Sequence, residues 1–121
     1  MKIIVAILAG ILCLSLGNIY AGGKTKLEHY IFRYDTGDTY DVKLSENAIT
    51  WTGLEGSDTG QSETDLIKRK KLSNDVEVIQ WNENSKTFVT LVFDRAHLRT
   101  VSSGKTPNGN WLAYGVAEDI F

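Results

Sequence analysis

Tyr30, Phe32 and Tyr34 stand two residues apart in the run HYIFRYDTG, His29 to Gly37. Side chains alternate between faces along an extended strand, so the three rings share one surface while His29, Ile31 and Arg33 take the other. Rings in line can wall an apolar pocket, and tyrosine hydroxyls can hold a polar group inside it. A second candidate is Glu83, two residues after Trp81 in VIQWNEN, at the end of a strand whose Val78 and Ile79 are expected to be buried. A carboxyl at the rim of an apolar pocket has its pKa raised by desolvation, which suits it to proton transfer near neutral pH. The plainer expectation for Glu83 is a solvated turn residue. Tyr34 and Tyr40 flank the first hairpin turn and are placed to reach the same pocket. Otherwise they are strand aromatics with their hydroxyls on water.

Other chemistries find less support. His29 and His97 lie far apart, without HExxH or HxH spacing, so no metal site is expected. There is no GxSxG for a serine nucleophile and no GxxxxGK[ST] to cradle a phosphate. The basic run Lys68-Arg69-Lys70-Lys71 alternates between faces on a strand, and Glu63, Asp65, Asp75 and Glu77 lie close enough in the hairpin to pair with it. It reads as a charged, edge-protecting strand rather than a nucleic-acid patch.

The elements that must position these residues show period two almost throughout. Strands are predicted over Leu27–Asp35, Thr39–Ser45, Ala48–Thr52, Thr64–Leu72, Val76–Asn82, Thr87–Phe93, His97–Ser103 and Trp111–Val116, with Gly, Asn, Asp and Ser in the turns between them. No stretch after residue 22 carries an apolar stripe at helical spacing over three turns. The expected fold is all-β: an antiparallel up-and-down barrel of about eight strands, which closure relieves of exposed edges, or else a sandwich of the same strands. The loop Gly53 to Ser62, GLEGSDTGQS, is long for a hairpin. It is either a lid at an open barrel end or a disordered connector.

The N-terminus has a different character. Met1-Lys2, an apolar run from Ile3 to Leu16 and Ala21 before Gly22-Gly23 have the layout of a signal peptide over residues 1–21. The apolar run is roughly 14 residues, short of the roughly 20 that span a bilayer. Cleavage after Ala21 would remove the single cysteine, Cys13, and leave residues 22–121 as one domain without disulfides or thiols. The expected location is periplasmic or secreted. A formal net charge of −2 for the full chain argues against nucleic acid or anionic lipid as the main partner.

The first hairpin, HYIFRYDTG followed by DTYDVKL, resembles that of the phenolic acid decarboxylases and the related MoaF-like proteins, which form small lipocalin-like barrels. The likeness continues in order through NAITWTGLEG, ETDLIKRKKL and VIQWNENSKTFVTLVFD. In those decarboxylases two first-strand tyrosines and an arginine hold a substrate carboxylate, and a glutamic acid handles the proton. The resemblance matches Tyr34 to the second tyrosine and Glu83 to the acid. Phe32 stands in place of the first tyrosine, and the arginine position falls near Gly60 or Gln61. Tyr30 is about 6.5–7 Å from Phe32 along the strand and cannot present its hydroxyl at the same spot. The clamp is incomplete, while Tyr34, Tyr40, Trp51, Trp81 and Glu83 remain as a mixed lining.

These readings converge on an exported barrel holding a small, partly apolar ligand, with Tyr30, Phe32, Tyr34, Tyr40, Trp51, Trp81 and Glu83 as the expected lining. No cofactor is called for, and the sequence leaves room for a homodimer. One competing class is a decarboxylase-like lyase or isomerase with Glu83 and Tyr34 catalytic. Another is a protein-interaction module.

Overall fold

The structure, a computed structural model, describes residues 26–120. The expected signal peptide and cleavage site lie outside the described residues. Among the described residues nine strands follow one another: β1 (Glu28–Tyr34), β2 (Thr39–Leu44), β3 (Ala48–Glu55), β4 (Ser62–Leu66), β5 (Lys68–Lys71), β6 (Val76–Asn82), β7 (Phe88–Asp94), β8 (Arg99–Thr106) and β9 (Gly109–Asp119). Among the described residues there is no helix.

All strand pairs are antiparallel, in the order β4-β3-β2-β1-β9-β8-β7-β6-β5. Each strand therefore lies beside its sequence neighbour, and β9 returns to pair with β1. This is an up-and-down barrel with a single interruption, between β4 and β5. The expected count of eight strands is corrected to nine there. Thr64–Leu72, read as one strand, breaks at Ile67, whose amide donates instead to the Asn47 carbonyl at 3.0 Å. Two contacts bind the seam: Arg69 Nη1 donates to the Ser45 carbonyl at 2.9 Å, and the Asn84 amide donates to Glu63 Oε2 at 2.8 Å.

Alternation carries the core. Phe32, Leu44, Ile49, Ile79, Leu91 and Phe93 are fully buried inside, while Val78, expected to be buried with Ile79, lies on the opposite face and is only half-buried. Strand β9 turns small residues inward: Ala113 and Ala117 are buried, and Leu112, Tyr114 and Val116 are exposed on the outer face. Gly115 is needed because a Cβ there would overlap Thr100 Oγ1 and crowd the Tyr34 ring.

The two barrel ends differ. At one end Glu28, Arg69, Glu77 and Arg95 close the interior. Arg95 donates to both Glu28 oxygens at 2.8 and 2.9 Å, Arg69 to both Glu77 oxygens at 2.7 and 2.8 Å, and Arg95 reaches Glu77 at 3.0 Å. Arg69 therefore turns inward to Glu77, as the hairpin pairing anticipated, while Lys68, Lys70 and Lys71 are exposed. The other end, bounded by the β1–β2 turn, the β3–β4 loop and the β6–β7 and β8–β9 turns, is open.

Candidate functional site

At the open end the barrel encloses a cavity of about 380 Å³, within the range of small-molecule sites. Its apolar wall is built from Phe32, Tyr34, Tyr40, Trp51, Trp81 and Trp111, with Val42, Ile49, Val89 and Ala113 between them. The rings form a chain in mostly edge-to-face contact. Phe32–Tyr34, Tyr34–Tyr40 and Tyr40–Trp51 have centroids 6.3, 6.0 and 5.9 Å apart, the geometry that opposed ring quadrupoles favour. The rings brace one another and hold the wall in place.

The loop between β3 and β4 is ordered at the open end, against the expectation of a disordered connector. The Gly53 amide donates to the Gln61 carbonyl at 2.8 Å and the Gly60 amide to the Gly53 carbonyl at 2.9 Å. Asp38 in the β1–β2 turn accepts from the Ser57 amide at 2.9 Å, so turn and loop are tied together. Ser57, Asp58 and Gln61 thereby face the cavity.

The polar groups are fixed by their partners. The hydroxyls of Tyr34 and Ser102 lie 2.7 Å apart, and Tyr40 donates to Asp58. Burial pushes both tyrosine hydroxyls to higher pKa; the bond to Ser102 partly opposes this for Tyr34, and Asp58 reinforces it for Tyr40. Trp81 Nε1 donates to Glu83 Oε2 at 3.1 Å. Burial raises the Glu83 pKa against that hydrogen bond, and the charges of Glu63 and Asp58 raise it further. Behind the wall, Trp51 Nε1 reaches Asp65 Oδ2 at 3.4 Å. Asp65 is pushed up to about 7, first by burial and then by the hydrogen bond and charge of Glu63.

Of the seven residues expected to line a pocket, the fold brings six together: Phe32, Tyr34, Tyr40, Trp51, Trp81 and Glu83. Tyr30 is the correction. It shares the inner face, but two residues of strand rise carry it toward the closed end, where its hydroxyl donates to Glu28 at 2.5 Å and its ring meets Phe93 edge-on at 4.9 Å. Burial and Glu28 push that hydroxyl up to about 12. The Gly60–Gln61 region supplies no cation, and Arg69 is held at the far end of the barrel by Glu77.

The model of the MoaF-like family matches residues 28–115. This chain belongs to the MoaF-like family. Among solved structures, a Burkholderia vietnamiensis protein provisionally called a β-lactamase superposes with a TM-score of 0.72 at 17% identity, covering 77% of this chain and 92% of that one. At such identity the likeness concerns the fold. No curated protein matches the sequence.

In this MoaF-like barrel several lining residues escaped the sequence reading. Trp111 reaches the mouth from β9 because its indole lies over Gly104 of β8, where any Cβ would overlap the ring. Asp38, Asp58, Glu63 and Ser102 also line the cavity. Ser102 sits on an inward position of β8, and alternation from Thr100 would have placed it. Asp58 had no such signal, because loop backbone sets its direction.

Proposed function

We propose that this MoaF-like chain is an exported small-molecule-binding protein that holds a partly apolar ligand in its open-ended cavity. The observation that carries the reading is the enclosed, ring-lined space of about 380 Å³ with fixed polar groups at its mouth. Burying ring surface there is worth about 25 cal/mol per Å² of apolar area removed from water, and the braced rings lose little freedom on binding. Glu83 and the Tyr34–Ser102 pair orient the ligand. Export rests on the basic, apolar and small-residue layout of residues 1–21. Native mass spectrometry of the protein purified from its own host tests the reading. A retained non-covalent adduct is expected; an adduct-free spectrum together with no affinity for any small aromatic compound overturns it.

A second reading has one observation in its favour. Glu83 is half-enclosed with its pKa raised by burial, as an acid–base group requires. Turnover abolished by Glu83→Gln and strongly reduced by Tyr34→Phe would establish an enzyme. A carboxylate substrate is the poorer choice for it, since among the described residues no Lys, Arg or His lines the cavity.

A further inference from the structure

The charges of the cavity all have one sign. Asp38, Asp58, Glu63 and Glu83 line it, with no Lys, Arg or His side chain among the lining residues. None of these four takes part in an ion pair among the described residues, where the arginine contacts go elsewhere: Arg69 and Arg95 to Glu28 and Glu77 at the closed end, Arg33 to Glu118 outside. The carboxylates are held by neutral donors instead, Glu83 by the Trp81 indole, Glu63 by the Asn84 amide and Asp58 by the Tyr40 hydroxyl. The bond from the Asn84 amide also places Glu63 of β4 beside the start of the β6–β7 turn, next to Glu83.

A cavity with low-dielectric walls strengthens the field of such charges, so a cation entering it is favoured and an anion repelled. The rings act in the same direction. A cation over an indole or phenol face is attracted by the ring's negative quadrupole face, and Trp51, Trp81, Trp111, Tyr34 and Tyr40 stand round the space. A bare metal ion fits less well: among the described residues no group of three or more His, Cys, Asp or Glu stands close enough to hold one. The charges are distributed around a ring-lined volume, an arrangement suited to a charged head on an apolar body.

We propose that the ligand is an organic cation, a primary or substituted amine on a ring-sized apolar body, with its ammonium seated at Glu63 and Glu83 and its body against the indoles. This rests on the small-molecule-binding reading and deepens it by fixing the charge of what is bound. The same carboxylates disfavour the carboxylate-bearing ligands that the incomplete clamp already fails to hold.

The test is a matched set of compounds of similar shape and different charge: 2-phenylethylamine, 2-phenylethanol and 3-phenylpropionate. Each is titrated into the full chain by calorimetry and by tryptophan fluorescence. The amine is expected to bind at least about 10-fold more tightly than the alcohol, the carboxylate most weakly, and the amine's advantage to shrink with added salt. Glu63→Gln and Glu83→Gln should each reduce amine affinity by about 10-fold while leaving alcohol affinity within about 2-fold. The alcohol control keeps the test valid if a variant is less stable, because a damaged cavity would lose both ligands. Equal or tighter binding of alcohol or carboxylate overturns the charge assignment and leaves small-molecule binding standing. No binding by any of the three at millimolar concentration also overturns it; the retained-adduct experiment then decides separately whether the cavity binds a small molecule.

Discussion

Two buried hydroxyls show how much a side chain's partner decides. The hydroxyl of half-buried Tyr34 shares a 2.7 Å hydrogen bond with that of buried Ser102. Tyr34→Phe deletes one partner and strands the other, so a loss of about 1–3 kcal/mol is expected in urea denaturation. Thr100, also on β8, is as deeply buried, yet its Oγ1 lies near the Tyr34 hydroxyl without a well-formed hydrogen bond. Removing that oxygen with nearly the same shape, as in Thr100→Val, is expected to raise stability by about 1 kcal/mol, measured in the same way. A fall of 1 kcal/mol or more would mean that the hydroxyl is satisfied, by the Tyr34 hydroxyl or by a bound water. Both residues lie on inward strand positions, and alternation alone marks them as interior. It does not say which hydroxyl finds a partner, because that depends on which strand is placed opposite.

At the scale of elements, the strands were legible where side chains alternate strongly and obscure where they do not. Tyr30, Phe32 and Tyr34 made β1 and its inner face readable, and Val76–Asn82 matches β6 end to end. The break at Ile67 was not readable, since β4 and β5 both keep period two and only their choice of different partners separates them. β9 was drawn too short, because beyond Trp111 its inward residues are Ala and Gly while Leu112, Tyr114 and Val116 face out. The ends of β4, β5 and β6 also bring titrating groups together, which gives stability a maximum in pH. Glu77 is held below its ordinary value of 4.5 by Arg69 and Arg95 against burial; Glu28, against a larger burial effect, is held below it by Arg95, Tyr30 and Arg69. What these two contribute is present above 4.5 and is lost as pH falls through their lowered values. Asp65 has the opposite sign. Its raised pKa means that its contribution is complete below 3.8 and is lost as pH rises through about 7. Stability should therefore peak between those limits. Asp65→Asn keeps an acceptor for Trp51 and a donor for Glu63 without the charge. It should flatten the alkaline side, so that its advantage over the natural protein in thermal unfolding grows by more than about 1 kcal/mol from pH 5 to pH 8. An advantage that does not change with pH would place the titration on another group.

For the molecule as a whole, the seam between β4 and β5 is the one place where the barrel wall lacks a ladder. It is spanned by Arg69 on the Ser45 carbonyl and by the Asn84 amide on Glu63. Edge strands have hydrogen bonds on one side only and open locally at lower cost than strands paired on both sides. Amide exchange in β4 and β5 is therefore expected to run on the order of 100-fold faster than in β1 and β9, which are paired on both sides. The seam also meets the cavity, because Glu63 belongs to β4 and Glu83 follows β6 directly. A ligand that touches both carboxylates joins the two sides of the wall and has no such partner when β4 is detached. Its binding must then slow exchange in β4 by up to the factor (1 + [L]/Kd), about 100-fold at a hundred times the dissociation constant. β5 lies farther from the mouth and should be slowed less, which separates stitching of the seam from general stabilisation. Hydrogen–deuterium exchange resolved by strand, with and without a bound amine, reads this directly. Uniform slowing across β1 to β9 would show that the ligand acts on global unfolding alone, and unchanged β4 exchange at saturation would remove Glu63 from the site.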